Sequence, residues 1–457
     1  MTRHLQPLDL ERLRRAFPGT VLGPGDDEFD SARDVFYGGE DVIPAAVAQV
    51  ESAEDVARVV TFAAENGHEI AVKGGGHSLA RLATTSGGIV IDLARMKGLE
   101  IDPAGKTAWA QAGLTTGEYT KAAGSHGLAT GFGDTPSVGL SGITLSGGIG
   151  FLVRKHGLTI DSLLAAEVVT ADGRILQVNE ENEPDLFWAL RGGGGNFGVV
   201  TRFQFRLHEV DDVVGGMLIL PATAEVVAGF VDEAAAAPDE LSTILNVMVA
   251  PPLPFLPESV HGKKVALGLL AYTGDVDAGQ KVMDRFRGLA EPLVDTLAAI
   301  HYPELFMEEE GDGPPFKPQS ASRNAFIDSF DDQAAAFLVD ALDEAPAMMT
   351  AVQIRALGGE MARVPAESTA FAHRDRPIMV NVAAMYMDPA QADPTADWIV
   401  RTADGLLGDD YGSYTGFMTN EGFDRAYPGA TGARLRTVKR AYDPDNLFHR
   451  NHNIEPA

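Results

Sequence analysis

The sequence predicts an α+β chain of more than one domain, and three observations lead there. Over the first half, short strand-like runs alternate with helical ones and are punctuated by glycine-dense loops. Near residue 209 the texture changes to alanine-rich helical segments among longer strand-like runs, the pattern of an antiparallel sheet faced by helices. The chain also has 457 residues, more than one hydrophobic core usually holds, so two domains are expected.

After a leader containing a short amphipathic helix, residues 44–50 read as a strand. Ser52 caps a helix whose apolar face carries Val56, Val59, Val60 and Ala63, and Gly67 closes it. Ile70, Ala71, Val72 and Lys73 form a buried strand that feeds into Gly74-Gly75-Gly76-His77-Ser78-Leu79. Glycines without Cβ let backbone N–H groups approach an anionic ligand, and His77 stands at the tip of that loop. Strands follow over 88–93 and 107–113, then a helix over 116–123 that Gly124 ends.

A second glycine-dense stretch, residues 131–150, contains Thr135, Val138, Gly139, Gly142, Gly147 and Gly150 and is too long for one turn. Glycine at this density weakens any regular element through backbone entropy, and a flat ligand lying against the backbone would compensate. A set of tight turns with no ligand fits the composition equally well. Residues 158–164 and 166–170 lead to the hairpin turn Asp172-Gly173, and 174–178 return. A helix starts at Pro184, with Phe187 and Trp188 as core anchors, and 199–207 alternate as a strand.

Beyond 209, helical segments at 225–236 and 333–342 sit among strand-like runs at 241–249, 264–272, 351–356 and 378–386. Residues 251–254 and 311–315 read as loops rather than linkers. The tail, 442–454, is too rich in specific polar residues to be a frayed end.

Bulk properties exclude several functions. With 36 basic and 65 acidic residues the net charge is −29, a surface that repels phosphate backbones and anionic lipid, so neither nucleic acid nor membrane is an expected partner. The absence of cysteine excludes disulfides, thiolate metal sites, thiol nucleophiles and any cysteinyl cofactor link. No apolar run reaches the ~18 residues of a spanning helix, and the first residues mix charges with leucines, so a cytoplasmic location is expected. The histidines are scattered without metal-ligand spacing, and the first glycine loop lacks the GxGxxG pattern of nicotinamide-dinucleotide binding.

Several stretches together carry a resemblance over nearly the whole chain. They are Gly74-Gly75-Gly76-His77-Ser78, Val138-Gly139-Leu140-Ser141-Gly142 with Gly147-Gly148-Ile149-Gly150, and Arg154-Lys155-His156-Gly157-Leu158-Thr159-Ile160-Asp161. Asp185-Leu186-Phe187-Trp188, Asn196-Phe197-Gly198-Val199-Val200 and the tail complete the set. In order and spacing this resembles the flavoprotein oxidases of the vanillyl-alcohol oxidase superfamily, in the branch named after berberine bridge enzyme. The resemblance implies a PCMH-type, two-subdomain FAD-binding domain over 1–208. It further implies a substrate domain over 209–415, with an antiparallel sheet covered by helices, and a C-terminal segment, 416–457, that returns to the FAD domain.

FAD is then the implied cofactor, its pyrophosphate on the loop formed by Lys73, Gly74, Gly75, Gly76, Ser78 and Leu79. Thr135, Val138, Gly139, Gly142, Gly147, Gly150 and Val200 would line the flavin, with Asn451 and Asn453 approaching from the tail. His77 matches the histidine that bonds covalently to the flavin, and a neutral imidazole is a competent nucleophile. The competing reading of His77 is a buried hydrogen-bonding histidine. Thr135 stands where many relatives carry a second, cysteinyl link, so at most the histidyl bond can form, which shifts the expectation toward smaller, less polar substrates. Val138 matches a position where valine leaves dioxygen a path to the flavin, favouring an oxidase that releases hydrogen peroxide.

Oxidising an alcohol needs a hydride acceptor and a group to take the hydroxyl proton. Relatives use a tyrosine in a Tyr-x-Asn-aromatic motif; here Tyr414-Thr415-Gly416-Phe417 keeps the tyrosine and loses the asparagine. A phenol with pKa ~10 needs a positive neighbour or concerted transfer to act as a base at neutral pH. Alternatively Tyr414 is a strand residue with its hydroxyl at the rim. Tyr386 stands where relatives carry tryptophan, as pocket wall or participant, whereas His373 and Arg374 read as structural. An amine substrate would need no base. The expected activity is that of an FAD-dependent oxidase acting on an alcohol or amine carbon of a small molecule. The alternatives are a dehydrogenase or monooxygenase of the same fold, or a flavin-binding protein with lost catalysis, which Gly416 favours.

Overall fold

The computed structural model describes residues 7–210, 212–252, 256–306, 317–347, 349–408, 412–419 and 422–457. The proposed 311–315 loop and part of 251–254 lie outside the described residues. No described helix is long and apolar enough to cross a membrane.

The first half builds two sheets. In one, Thr20–Leu22, Ala46–Gln49, Ile89–Asp92 and Ile70–Lys73 lie side by side in that order, the last three parallel. Parallel strands need crossovers, and the helix Ala53–Asn66 carries the chain from Ala46–Gln49 to Ile70–Lys73 on the other side of Ile89–Asp92. Ser52 caps it by accepting the Asp55 N–H, and Gly67 ends it in the left-handed region at φ 66°. Val56, Val59, Val60 and Ala63 are fully buried beneath it, and burying each valine is worth roughly 1.5–3 kcal/mol. The other sheet is antiparallel, in the order Leu99–Asp102, Thr107–Gln111, Val199–Arg206, Leu163–Val169, Ile175–Val178.

The second half builds an eight-stranded antiparallel sheet. Its continuous path is Val294–Asp295, Asp212–Pro221, Lys264–Tyr272, Leu241–Val249, Met349–Ala356, Ile378–Tyr386 and Gln319–Ile327, with Ala298–His301 also paired to Asp212–Pro221. Helices Ala224–Ala236, Val276–Arg287, Asp332–Ala341 and Ala392–Leu407 cover one face, where Phe230, Phe286, Leu338 and Trp398 pack on Leu218, Leu245, Val352 and Val380. Residues from the opposite face pack against segments of the first half, where Phe326 and Met379 cluster with Ile149 and Val153, and Tyr414 from farther along the chain joins them.

Residues 131–150 are not irregular throughout, as their composition suggested: Leu140–Ser146 is a helix between Gly139 and Gly147, and Gly142 lies within it. Burial of Leu140, Thr144 and Leu145 outweighs the ~1 kcal/mol cost of one internal glycine. The first glycine loop sits directly against this segment. A Cβ on Gly75 would lie 2.2 Å from the Gly139 nitrogen, one on Gly139 2.1 Å from the Gly75 nitrogen, and one on Gly74 2.3 Å from Ser141 Oγ. Thus Gly74 and Gly75 serve first to let two loops touch. The helix Thr116–Gly124 holds the second loop from behind: Thr116 Oγ1 donates to the Thr135 carbonyl at 2.9 Å, and the Thr116 and Gly117 N–H groups to Val138 and Pro136.

The tail is tied down as its composition suggested. At the end of the helix Gly429–Tyr442, the fully buried Lys439 ammonium donates to Asp443 and to the Asn196 carbonyl, both at 2.6 Å. Asp443 in turn accepts the Leu447 and Phe448 N–H groups. Asn196 donates to the Gly193 and His452 carbonyls and accepts the Ile454 N–H. Farther along, Arg450 donates twice to the Thr84 carbonyl, and His449 Nε2 meets Glu69 at 2.7 Å, one residue before the strand that leads into the first glycine loop.

Two expectations follow. Gly75→Ala should destabilise the protein by about 1–3 kcal/mol, because its methyl group meets backbone that cannot swing away. Gly142→Ala, with nothing within 4 Å of the new Cβ, should instead be neutral or stabilising by about 0.5–1 kcal/mol. Denaturant unfolding of both apoproteins checks the contrast, and equal effects would refute the close-contact reading. The second concerns pH. The hydrogen bond to Glu69 raises the His449 pKa, and that to His449 is the largest cause lowering Glu69. Stabilisation through His449 is complete below its ordinary 6.5 and fades as pH rises through the raised folded value; stabilisation through Glu69 is present above 4.5 and fades as pH falls through the lowered one. The stability gap between wild type and His449→Gln should therefore be widest between about pH 4.5 and 6.5, measured by urea unfolding across a pH series; a flat gap would remove this pair from the account.

Candidate cofactor and active site

His77 is positioned by the leader. The Phe36 N–H donates to the Gly76 carbonyl at 3.2 Å, and the Phe36 ring stacks on the His77 imidazole with centroids 4.4 Å apart and planes at 21°. Gly76 has φ 73°, a conformation glycine adopts without strain. Lys73 opens the loop through its backbone only: its buried ammonium lies 3.3 Å from Asp92 and donates to the Ala32 carbonyl, committed inside the first sheet. Ser78 closes a turn by accepting the Arg81 N–H, and Leu79 beside it is half-buried.

On the second loop the expected residues divide by role. Gly142 is exposed with open space beside it. Thr135 Oγ1 donates to Asp134 at 3.1 Å, and Val138 is half-buried next to the loop contact at Gly139. Gly147, with φ 121°, faces the rings of Phe371 and Tyr414. Gly150 is required by packing, since a Cβ there would lie 1.7 Å from the Phe132 carbonyl oxygen. Val200 is a buried rung of the second sheet opposite Val168. From the tail, Asn451 donates to the Gly195 carbonyl at 3.1 Å, while Asn453 Oδ1 is buried without a hydrogen-bond partner.

Tyr414 is brought to the same place from the far side. Its backbone N–H donates to Asn324 Oδ1 at 2.6 Å, its ring packs among Phe326, Phe371 and Phe417, and its hydroxyl accepts the Gly148 N–H at 3.2 Å. A Cβ at Gly416 would lie 2.5–2.9 Å from the phenol's own atoms. The missing asparagine is thus what lets the Tyr414 ring fold back over the turn. Burial pushes its pKa up to about 12, with the Gly148 N–H and the Arg355 guanidinium offsetting part of that cost.

Tyr386 is elsewhere, which corrects its expected role. It shares the helix-covered face of the large sheet with Ile378, Val380, Val382 and Ala384, so it neither walls nor enters the site. Burial, and then Asp393, raise its pKa. His373 and Arg374 are structural as read: Arg374 grips Asp161 with two hydrogen bonds of 2.6 and 3.0 Å.

Sequence reasoning missed Arg355. It is almost fully buried and crosses from the large sheet to the second glycine loop, donating to Asp134 at 2.7 Å, the Ile149 carbonyl at 2.9 Å and Gln353 at 2.9 Å. Alternation along Met349–Ala356 could have put it on the face away from the helices; its pairing with a residue 221 positions earlier had no local signal. Phe36 was missed for the same reason.

Two backbone-paved loops in contact, open space beside Gly142 and a buried unpartnered amide at Asn453 suit a large flat ligand bearing polar edges. The comparisons with known proteins agree. Residues 44–179 match the family described as FAD binding domain, and residues 408–455 the family described as berberine and berberine like. The chain is 30% identical to (R)-6-hydroxynicotine oxidase of Paenarthrobacter nicotinovorans over 96% of its own length and 97% of that protein's. Its fold matches the crystal structure of 6-hydroxy-D-nicotine oxidase from Arthrobacter nicotinovorans with a TM-score of 0.85 at 28% identity, covering both chains completely. It also matches wild-type BBE-like 1 from Physcomitrella patens, with a TM-score of 0.86 at 22% identity over 98% and 99% of the two chains. The cofactor is FAD, and the chain belongs to the berberine bridge enzyme-like branch of the vanillyl-alcohol oxidase superfamily of FAD-linked oxidoreductases.

Proposed function

We propose that this protein is an oxidase that removes a hydride from an alcohol or amine carbon of a small molecule and returns the electrons to dioxygen as hydrogen peroxide, with FAD bonded covalently through His77 alone. In this reading residues 1–208 and 416–457 hold the cofactor and 209–415 the substrate. The observation that carries it is the placement of His77: its ring is held by Phe36 at the end of the glycine loop, in a chain without cysteine. Val138, on the loop beside Gly75, supports dioxygen as acceptor through the family resemblance. The relative named for oxidation of hydroxynicotine supports a small-molecule substrate.

FAD supplies the hydride acceptor. The remaining work falls to side chains and backbone of this chain. Residues 74–79 and 135–142 orient the cofactor between their exposed backbones, and Asn453 offers it or its neighbours a hydrogen-bond acceptor. Tyr414, held near 12 by burial, is a protonated phenol at neutral pH. It can take the proton of a substrate hydroxyl only from its phenolate form, its own proton having first passed to solvent. The Gly148 N–H and Arg355 stabilise the negative charge that develops on the phenol oxygen.

The covalent bond is tested by acid precipitation: the wild-type pellet should stay yellow and that of His77→Ala should be colourless, with all flavin in the supernatant. Release of flavin from the wild type as well would refute the bond. For the base, Tyr414→Phe should lower kcat on the best alcohol of a peroxide-release panel by about 10²-fold or more, the loss typical of a missing proton acceptor, while flavin content stays unchanged. A loss under fivefold would return Tyr414 to a packing role.

A further inference from the structure

We infer that the wall facing the glycine loops is a row of carboxamides that binds a neutral, hydroxyl-bearing substrate and turns away a protonated amine, with Asn381 the specificity-determining contact. This rests on the oxidase reading above and narrows it.

Four strands of the large sheet send Leu245 and Val247, Val352 and Ile354, Val380 and Val382, and Ala325 and Ile327 toward the helices. Side chains alternate along a strand, so Asn246, Gln353, Asn381 and Asn324 emerge on the opposite face. They also stand in register, Asn246 opposite Gln353, Gln353 opposite Asn381 and Asn381 opposite Asn324. The row therefore runs straight across four strands. Its face looks at the second glycine loop, because Arg355, two residues from Gln353, reaches Asp134 and the Ile149 carbonyl, and because Asn324 holds the backbone of Tyr414.

The row's hydrogen bonds leave one position open. Gln353 donates to Asn246 at 3.1 Å and accepts from Arg355 at 2.9 Å, and Asn324 is engaged by Tyr414. Asn381, 7% exposed, has its Oδ1 buried without a partner. Turning the amide over would only exchange an unmet acceptor for an unmet donor. An unsatisfied buried amide oxygen carries a desolvation cost, which a hydrogen-bonding substrate would recover. On one side the adjacent rung of this face is Met248, Ala351, Ala383 and Ser322; next to Asn381 itself stand the small Ala383, Ala351 and Ser322, both alanines partly exposed.

Charge sets the preference. The row is uncharged, the ionised group hydrogen-bonded to it is the Arg355 cation, and the Asp134 carboxylate is already bridged to that cation. An ammonium group here would lose hydration with no counter-charge to replace it, whereas a hydroxyl can both donate to and accept from a carboxamide.

The test uses purified holoenzyme and two matched probe pairs at pH 7, benzyl alcohol with benzylamine and cyclohexylmethanol with cyclohexylmethylamine, titrated anaerobically while the flavin absorbance is followed. Both alcohols should bind at least tenfold more tightly than their amines. Asn381→Leu should weaken the alcohols by about tenfold or more, the cost of a lost buried hydrogen bond, with flavin content and visible spectrum unchanged. Asn381→Asp, of the same shape but anionic, should reverse the preference toward the amines and decides the matter if the leucine variant does not fold. Amines binding as tightly as alcohols, no response to any probe, or an Asn381→Leu variant that binds like the wild type would each overturn the inference. Flavin reoxidation by dioxygen and acid-stable flavin, measured on the same samples, report separately on the oxidase reading, which can hold while the carboxamide row fails.

Discussion

Everything around the cofactor depends on one contact made without side chains, the meeting of backbone at Gly75 and Gly139. Any Cβ at either position would overlap a backbone nitrogen, and backbone cannot rotate away as a side chain can. The contact is buttressed on three sides. Thr116 and Gly117 at the start of one helix hold the second loop, Phe36 in the leader holds the first, and the tail from Lys439 to Ile454 ties the 193–196 loop to the strand that opens the site. The glycines are thus fixed by the geometry of loop on loop, and the backbone left open beside them is what a flat cofactor can use.

Much of this was legible. The run from Ile70 into Gly74-Gly75-Gly76-His77, the Ser52 cap and the Gly67 stop are local signals, and each produced the element it announces. The elements that escaped were those whose composition argues against them. Asp212–Pro221 contains Gly215 and Gly216 and Gln319–Ile327 opens with polar residues, and sheet partners far along the chain stabilise both; Leu99–Asp102, which alternates leucine and isoleucine with two carboxylates, is an edge strand held by the neighbouring Thr107–Gln111. The helix Leu140–Ser146 was hidden by its glycines for the same reason. Tyr386 is a different case: the even-numbered residues from Ile378 to Ala384 are all apolar, and period-two reasoning would have put Tyr386 with them under the helices.

The polar side of the site had no comparable signature. The buried Arg355 and the partly buried Asp134 pair across 221 residues, and nothing in either neighbourhood announces the other. The pair joins the large sheet to the second glycine loop close to the Tyr414 hydroxyl, so one cation serves both as a tie and as part of the electrostatic surroundings of that phenol. Gly416 belongs to the same arrangement. Its lack of a side chain, which in isolation suggests a motif in decay, is what admits the aromatic ring to its buried position.

The ties made by His449 and Arg450 span 380 and 366 residues. On a ribosome the strand and loop that carry His77 emerge long before the segment that secures them, so through most of translation that region must wait with its backbone exposed and its partners unmade. Nascent chains of this protein are therefore expected to acquire flavin after synthesis rather than during it.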